Sequence, residues 1–218
     1  MAYESIYNRV AQAVSARPRP AVIGITGAYT SGKTLFAEGF AQFLAARGEG
    51  VQIIHYDDFH HPLSLVGWGD GENAEVNAFY ARAFNHEKLI TDVLRPLREN
   101  GVLHKEALCL DWDAGTYTNP VRFDIGADTI VLLEGVLLLC PPVCKWLDYT
   151  IFLDVSADEI LRRGWLRDAL HFGEGIMEKY NTRYIPVHEK HLREDAPRER
   201  ANIVIDNNDC KHPRIARV

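Results

Sequence analysis

The chain has 218 residues, 47% of them hydrophobic and 25% charged, with 16 glycines and 10 prolines. These ordinary globular values exclude a disordered, collagen-like or disulfide-stapled chain, and the length fits one domain with embellishment that buries roughly 70% of its unfolded surface. A net charge of -6 argues against a nucleic-acid polymer or an anionic membrane as partner.

Residues 3–16 place Ile6, Val10, Ala13 and Val14 at helical spacing, and Arg17-Pro18-Arg19-Pro20 ends that helix. AVIGITG (21–27) is an apolar strand running into glycine. Residues 33–46 read as a helix with Leu35, Phe36, Phe40, Phe43 and Leu44 on one side. VQIIHYDD (51–58) is a second strand. Residues 59–73, rich in Gly, His and Pro, read as a loop. Helical spacing resumes over 74–82 and 86–99, with Pro96 bending the last turn. LHKEALCLDWD (103–113) reads as a short strand or hairpin. TIVLLEG (129–135) and YTIFLDV (149–155) are apolar strands. Residues 157–170 and 174–192 read as helices, the second interrupted near Pro186. ANIVIDN (201–207) closes the sheet, and the basic tail Lys211–Arg217 reads as a frayed end. Continuously apolar strands alternating with helices predict an α/β fold with a mostly parallel sheet covered on both faces.

The four cysteines offer only Cys140 and Cys144 as near neighbours, and these read as structural thiols without the partners of a zinc or redox motif. His55, His60 and His61 likewise lack a convincing set of metal-binding neighbours. MAYESIYNRV holds no long apolar segment, and the apolar run near 130–143 is broken by Glu134, Gly135 and two prolines. Neither a signal peptide nor a membrane span is expected, so the expected location is cytoplasmic.

The strongest chemical signal is Gly27-Ala28-Tyr29-Thr30-Ser31-Gly32-Lys33-Thr34, a full G-x4-G-K-T motif. It lies after a buried strand and before an amphipathic helix, the context that a phosphate-cradling loop needs. Lys33 is expected to bridge the terminal phosphates of ATP, and Thr34 to ligate Mg2+. Glu134, at the tip of an apolar strand, is the second candidate Mg2+ ligand. Asp154 ends another strand and reads as structural. Asp57 and Asp58 end the second strand, where open parallel sheets place their ligands, and Asp57 suits a general base. Arg162, Arg163 and Arg167 form a cluster suited to closing over the transferring phosphoryl group, with Gly164 and Gly173 as lid hinges.

GAYTSGKT, HYDDFH (55–60), FYARAFNHEKL (79–89), LLEGVLLL (132–139), DYTIFLDV (148–155), RRGWLRD (162–168) and RANIVIDN (200–207) stand in an order and spacing that resembles the uridine kinase family. That family belongs to the P-loop small-molecule kinases, with phosphoribulokinase, pantothenate kinase and nicotinamide riboside kinase. The resemblance spans 21–207. It implies the P-loop nucleoside-triphosphate-hydrolase fold, ATP and Mg2+ as cofactors, and transfer of the γ-phosphoryl group to a hydroxyl of a small molecule. By motif, it implies that Asp57 is the catalytic acid, Glu134 the Mg2+-associated acid, Arg163 and Arg167 the lid's phosphate contacts, and Phe84 a nucleoside contact. It divides one kinase domain (1–218) into an acceptor region about 59–128 and a lid about 162–173.

Two departures bear on the acceptor. Asn85 stands where the family has Asp, offering one acceptor oxygen and a donor amide. The family's Tyr-Asp-Phe and Thr-His-Ser-Arg pieces are replaced by Leu110-Asp111-Trp112-Asp113 and Gly115-Thr116-Tyr117. Trp112 or Tyr117 can stack on a planar ring, and His60 is a further candidate contact. A nucleoside is the favoured acceptor, with nicotinamide riboside, a sugar phosphate and pantothenate as alternatives. A regulatory P-loop NTPase ranks lower, because N-K-x-D and D-x-x-G motifs are absent. A homo-oligomer is left open.

Overall fold

The computed structural model describes residues 3–71 and 73–218. In chain order it forms α1 (Glu4–Ser15), β1 (Ala21–Gly27), α2 (Lys33–Ala45), β2 (Val51–His55), α3 (Ala74–Arg82), α4 (His86–Leu89) and α5 (Arg95–Asn100). There follow β3 (Leu103–Asp111), β4 (Thr116–Ile125), β5 (Ile130–Gly135), β6 (Tyr149–Asp154), α6 (Ala157–Gly164), α7 (Leu170–Phe172), α8 (Ile176–Lys179), α9 (Ile185–Glu194), α10 (Pro197–Arg200), β7 (Ile203–Asp206) and β8 (Arg214–Arg217).

The main sheet has the order β2-β5-β1-β6-β7-β8. Its first five strands pair in parallel, and β8 joins antiparallel to β7. Alternate residues of β1 feed opposite faces: Ile23 and Ile25 pack with Phe36 and Phe40 of α2 and with Val10 of α1, while Val22 packs with Val93 and Leu97 on the other face. Burial on both faces explains why these strands are apolar throughout.

Four expectations change. The second strand ends at His55, and Tyr56–Phe59 is a 3-10 turn. Residues 103–113 are one strand of an antiparallel arm whose partner is β4, where Val121, Phe123 and Ile125 alternate with Arg122 and Asp124 but Asn119 and Pro120 interrupt the pattern. The basic tail is not frayed: Arg214–Arg217 pairs with β7, and Arg217 Nε donates to the Arg198 carbonyl at 2.8 Å. Its residues are all exposed, as a charged edge strand should be. The irregularities near Pro96 and Pro186 lie upstream of each proline, as π turns over Ile90–Leu94 and Tyr180–Tyr184. Proline offers no N–H to the carbonyl four residues earlier, so the preceding turn widens.

Candidate functional site

β1 delivers Gly27–Thr34 to the middle of the sheet's C-terminal edge. Gly32 has φ +93°, a left-handed conformation that glycine adopts without strain, and it starts α2. The loop is held from outside. Arg163 Nη1 donates to the Thr30 carbonyl (3.2 Å), Asn207 Nδ2 to the Ser31 carbonyl (2.7 Å), and Thr30 Oγ1 to the Ile160 carbonyl (3.1 Å). Lys33 Nζ donates to the Ala28 carbonyl at 2.8 Å. Tyr29 leaves the loop to stack on Tyr184, with ring centroids 4.1 Å apart. In front of Gly32, Lys33 and Thr34 lies a cleft of about 480 Å³, also lined by Tyr3, Leu35, Arg163, Arg167 and Asn207. The volume and mixed lining suit a nucleotide-sized ligand.

The acids gather beside this loop. In the sheet register His55 of β2 sits opposite Glu134 of β5, and Ile25 of β1 flanks Glu134 on the other side. Glu134 Oε1 accepts from the Thr34 hydroxyl at 3.2 Å and lies 2.8 Å from His55 Nδ1. Burial pushes the Glu134 carboxyl up, but the His55 bond, Lys33 and Thr34 together hold it below its ordinary value. His55 is raised by that same bond. Burial pulls the Lys33 ammonium down, against the attraction of Glu134 and Asp57. Asp57 is exposed, yet the protein around it pushes its carboxyl above the ordinary aspartate value. Lys33 opposes that rise, while Glu134 and Asp58 add to it.

Gly135 sets the position of the Asp57 turn. A Cβ there would lie 3.1 Å from Tyr56 Cδ1 and 3.2 Å from Cγ, and closer still to Tyr56 Cβ. The absence of a side chain lets Tyr56 seat fully buried against the strand tip, one residue before Asp57. Tyr56 also stacks on Phe84 at 4.2 Å and bonds His86 through its hydroxyl.

The predicted acceptor residues meet here in different ways. Phe84 and His60 are buried, and their backbones pair as an isolated β-bridge. His60 Nδ1 donates to the His61 carbonyl at 2.6 Å, and its ring lies 5.1 Å from Trp112. Trp112, at the tip of the β3–β4 arm, is 52% exposed. Asn85 is occupied by its own chain: Oδ1 accepts from Lys88 N (2.9 Å) to cap α4, and Nδ2 donates to the Tyr117 hydroxyl (3.1 Å). Tyr117 in turn donates to the His60 carbonyl at 3.2 Å. Sequence reasoning named His55 without its Glu134 partner, and it missed Tyr184 and Arg183. Arg183 lies 4.2 Å over the Trp68 ring and pairs with Glu75. No local motif marks Tyr184 or Arg183, because folding alone brings them to the site.

The three arginines divide. Arg162 bonds Glu159 at the surface. Arg163, with 14% of its side chain exposed, is committed to the Thr30, Asn207 and Asn208 carbonyls. Arg167 is 64% exposed and bonds Asp168 at 2.5 Å. Gly164 is not a hinge. It is buried inside a helical run, and a Cβ there would meet the Tyr180 ring at 2.8 Å. Asp154 pairs with Arg198.

The sequence profile of the Phosphoribulokinase / Uridine kinase family matches residues 22–211. The chain is similar to a uridine kinase of Alkaliphilus metalliredigens, at 30% identity over 86% of this chain and 87% of that one. It is likewise similar to a uridine kinase of Chlamydia pneumoniae, at 29% identity over 86% and 82% of the two chains. Among solved structures, a possible uridine kinase from Bacillus stearothermophilus superposes with a TM-score of 0.70, covering 94% of this chain and 99% of that one at 21% identity. The fold is the P-loop kinase fold expected from the sequence.

Proposed function

Since the chain belongs to the Phosphoribulokinase / Uridine kinase family and is thus a kinase that transfers phosphate to a hydroxyl, we propose that its donor is ATP with Mg2+ and its acceptor a nucleoside, uridine first. The observation that carries this reading is the convergence of Lys33, Asp57 and Glu134, whose charges shift one another beside a nucleotide-sized cleft. Uridine comes first because curated relatives over most of the chain are uridine kinases.

Gly27–Thr34 wraps the phosphates, with backbone N–H groups and the start of α2 facing them. Thr34 and Glu134 would hold Mg2+: both offer oxygen, 3.2 Å apart, and Glu134 stays anionic, as a hard cation requires. When bound, the ion neutralises charge on the β- and γ-phosphate oxygens. Asp57 accepts the proton of the acceptor hydroxyl as the phosphoryl group moves. Its raised proton affinity makes it a stronger base than an ordinary surface aspartate. Lys33 and Arg167 offset charge on the transferring oxygens, and Arg163 fixes the loop from behind. Residues 162–173 act as the lid that keeps water out. The acceptor lies within the 59–128 region, flanked by His60, Phe84 and Trp112, with Asn85 shaping the wall through Tyr117.

Arg183 favours a second reading. It places a cation over the Trp68, Phe79 and Tyr184 rings, and a phosphorylated sugar or another anionic acceptor would compete with Glu75 for it. ADP release measured by a coupled assay against uridine, cytidine, nicotinamide riboside, sugar phosphates and pantothenate separates the two readings. Uridine should give the highest kcat/KM. A sugar phosphate in that place would replace the nucleoside reading. If no acceptor raised ADP release above background in folded protein that binds ATP, the kinase assignment of this site would fail.

A further inference from the structure

Away from the cleft, three donors of different chemistry meet in the interior. Cys140 follows the loop after Glu134, while His191 and Asp195 lie one helical turn apart at the end of α9. Cys140 Sγ is 3.4 Å from His191 Nδ1 and 3.0 Å from Asp195 Oδ2, and His191 Nδ1 is 2.8 Å from the same oxygen. All three residues are buried. The Tyr80 hydroxyl, from α3, also bonds Asp195 Oδ2. Arg200 pairs with the other carboxylate oxygen at 3.8 Å.

As a purely hydrogen-bonded cluster this is crowded. Tyr O–H, Cys S–H and His Nδ1–H would all aim at one oxygen, and a carboxylate offers about two lone-pair sites per oxygen. The arrangement also leaves His191 Nε2 buried without a partner among the described residues. The crowding ends if a cation sits among the donors, because the thiolate, the imidazole Nδ1 and the carboxylate then share the ion. We infer that Cys140, His191 and Asp195 are the ligands of a zinc ion, with the Tyr80 oxygen beside the fourth position. A thiol, an imidazole and a carboxylate are the donor set that zinc takes in tetrahedral geometry. Zinc bond lengths of about 2.0–2.3 Å put tetrahedral donors about 3.3–3.6 Å apart. The three donors here need to spread by no more than about 0.5 Å.

Tautomer and proton balance both work. With zinc on Nδ1, the His191 proton moves to Nε2. His191 lines a space of about 10 Å³ shared with Gly27, Ala28 and His188, the least volume that holds one water, and a water there would accept the Nε2 bond. Cys140 loses its thiol proton to solvent on binding, Asp195 is already anionic, and no redox step is involved. The ion would tie α9 and α3 to the segment that follows Glu134.

The test loads the full-length protein with ZnCl2, removes free metal by gel filtration, and counts zinc by mass spectrometry. CoCl2 loading in a C144S/C210S background, with C109S/C144S/C210S beside it to remove the one other thiol, reads the ligand by absorption. The expected result is one retained zinc per chain and a thiolate-to-cobalt charge-transfer band. Cys140→Ser and Asp195→Asn should each lower retained zinc at least tenfold. Zinc absent from the wild-type protein would overturn the proposal, as would equal retention by both variants. The C144S/C210S cobalt spectrum keeps the test decisive if the substituted proteins do not fold: no thiolate band there means no Cys140 ligand.

Discussion

Gly135→Ala adds one methyl group where the strand tip meets the turn that carries Asp57. The new carbon would sit inside 3.0 Å of Tyr56 Cβ, a backbone-anchored atom that no rotamer change can move aside. Carbon pairs settle at about 3.5–4.0 Å, so Tyr56 must retreat by roughly 1 Å. Tyr56 is fully buried and stacked on Phe84, which leaves little room for that retreat. Overpacking of this kind costs about 1–3 kcal/mol, equivalent to a Tm loss of about 2–12 °C at this chain length. Asp57 is bonded directly to Tyr56 and shifts with it, away from Lys33 and Glu134. A misplacement of about 1 Å lowers turnover about 10²-fold. Gly50→Ala is the control, since its Cβ meets Thr129 Oγ1 at an ordinary 3.6 Å. Differential scanning calorimetry and the coupled ADP assay read both effects. Parental Tm and kcat in Gly135→Ala, matching Gly50→Ala, would refute the idea that this glycine positions the catalytic turn.

Asp57→Asn should lower kcat by about 10²–10⁴-fold, the usual yield of a general base, with little change in ATP affinity by calorimetric titration. Asn85→Ala removes the α4 cap and the Tyr117 bond; a stability loss of about 0.5–2 kcal/mol by urea denaturation is expected, with a raised acceptor KM. Arg163→Met should raise the KM for ATP by about tenfold, or about 1.4 kcal/mol, because the P-loop carbonyl at Thr30 loses its brace; an unchanged KM counts against that role. His188 is buried, and burial lowers its pKa to about 3. Its folded value lies below its unfolded value of about 6.5, so its contribution is complete above that pH and is lost as pH falls toward about 3. Urea-derived stability should drop by about 1.4 kcal/mol per pH unit in that window, and His188→Gln should flatten the slope.

The sequence by itself determined the P-loop. Gly32 and the residues around it must reverse the chain between a buried strand and a helix, and such local backbone demands leave a fixed spacing in the sequence. The main parallel sheet was legible for a similar reason, since burial on both faces removes polar residues from a strand. Strand β4 was passed over although Val121, Phe123 and Ile125 alternate with Arg122 and Asp124, because Asn119 and Pro120 read as a turn in its middle. Strand β8 was hidden too, because an edge strand is chosen by the open hydrogen-bonding groups of its neighbour and tolerates arginine. Folding alone decided the roles of side chains whose partners are distant in sequence. Asp57 was identified from its place after an apolar strand, but its seat depends on Gly135, across the β2–β5 pairing. Asn85 reads as an acceptor contact in the linear motif, and only the fold shows that its amide also caps α4 through Lys88 N and bonds Tyr117. Cys140 looked inert beside Cys144, while its contacts, His191 and Asp195, lie 51 and 55 residues further along the chain. Sequence spacing records what neighbouring residues require of one another; which groups share a buried site is set by how helices pack on the sheet.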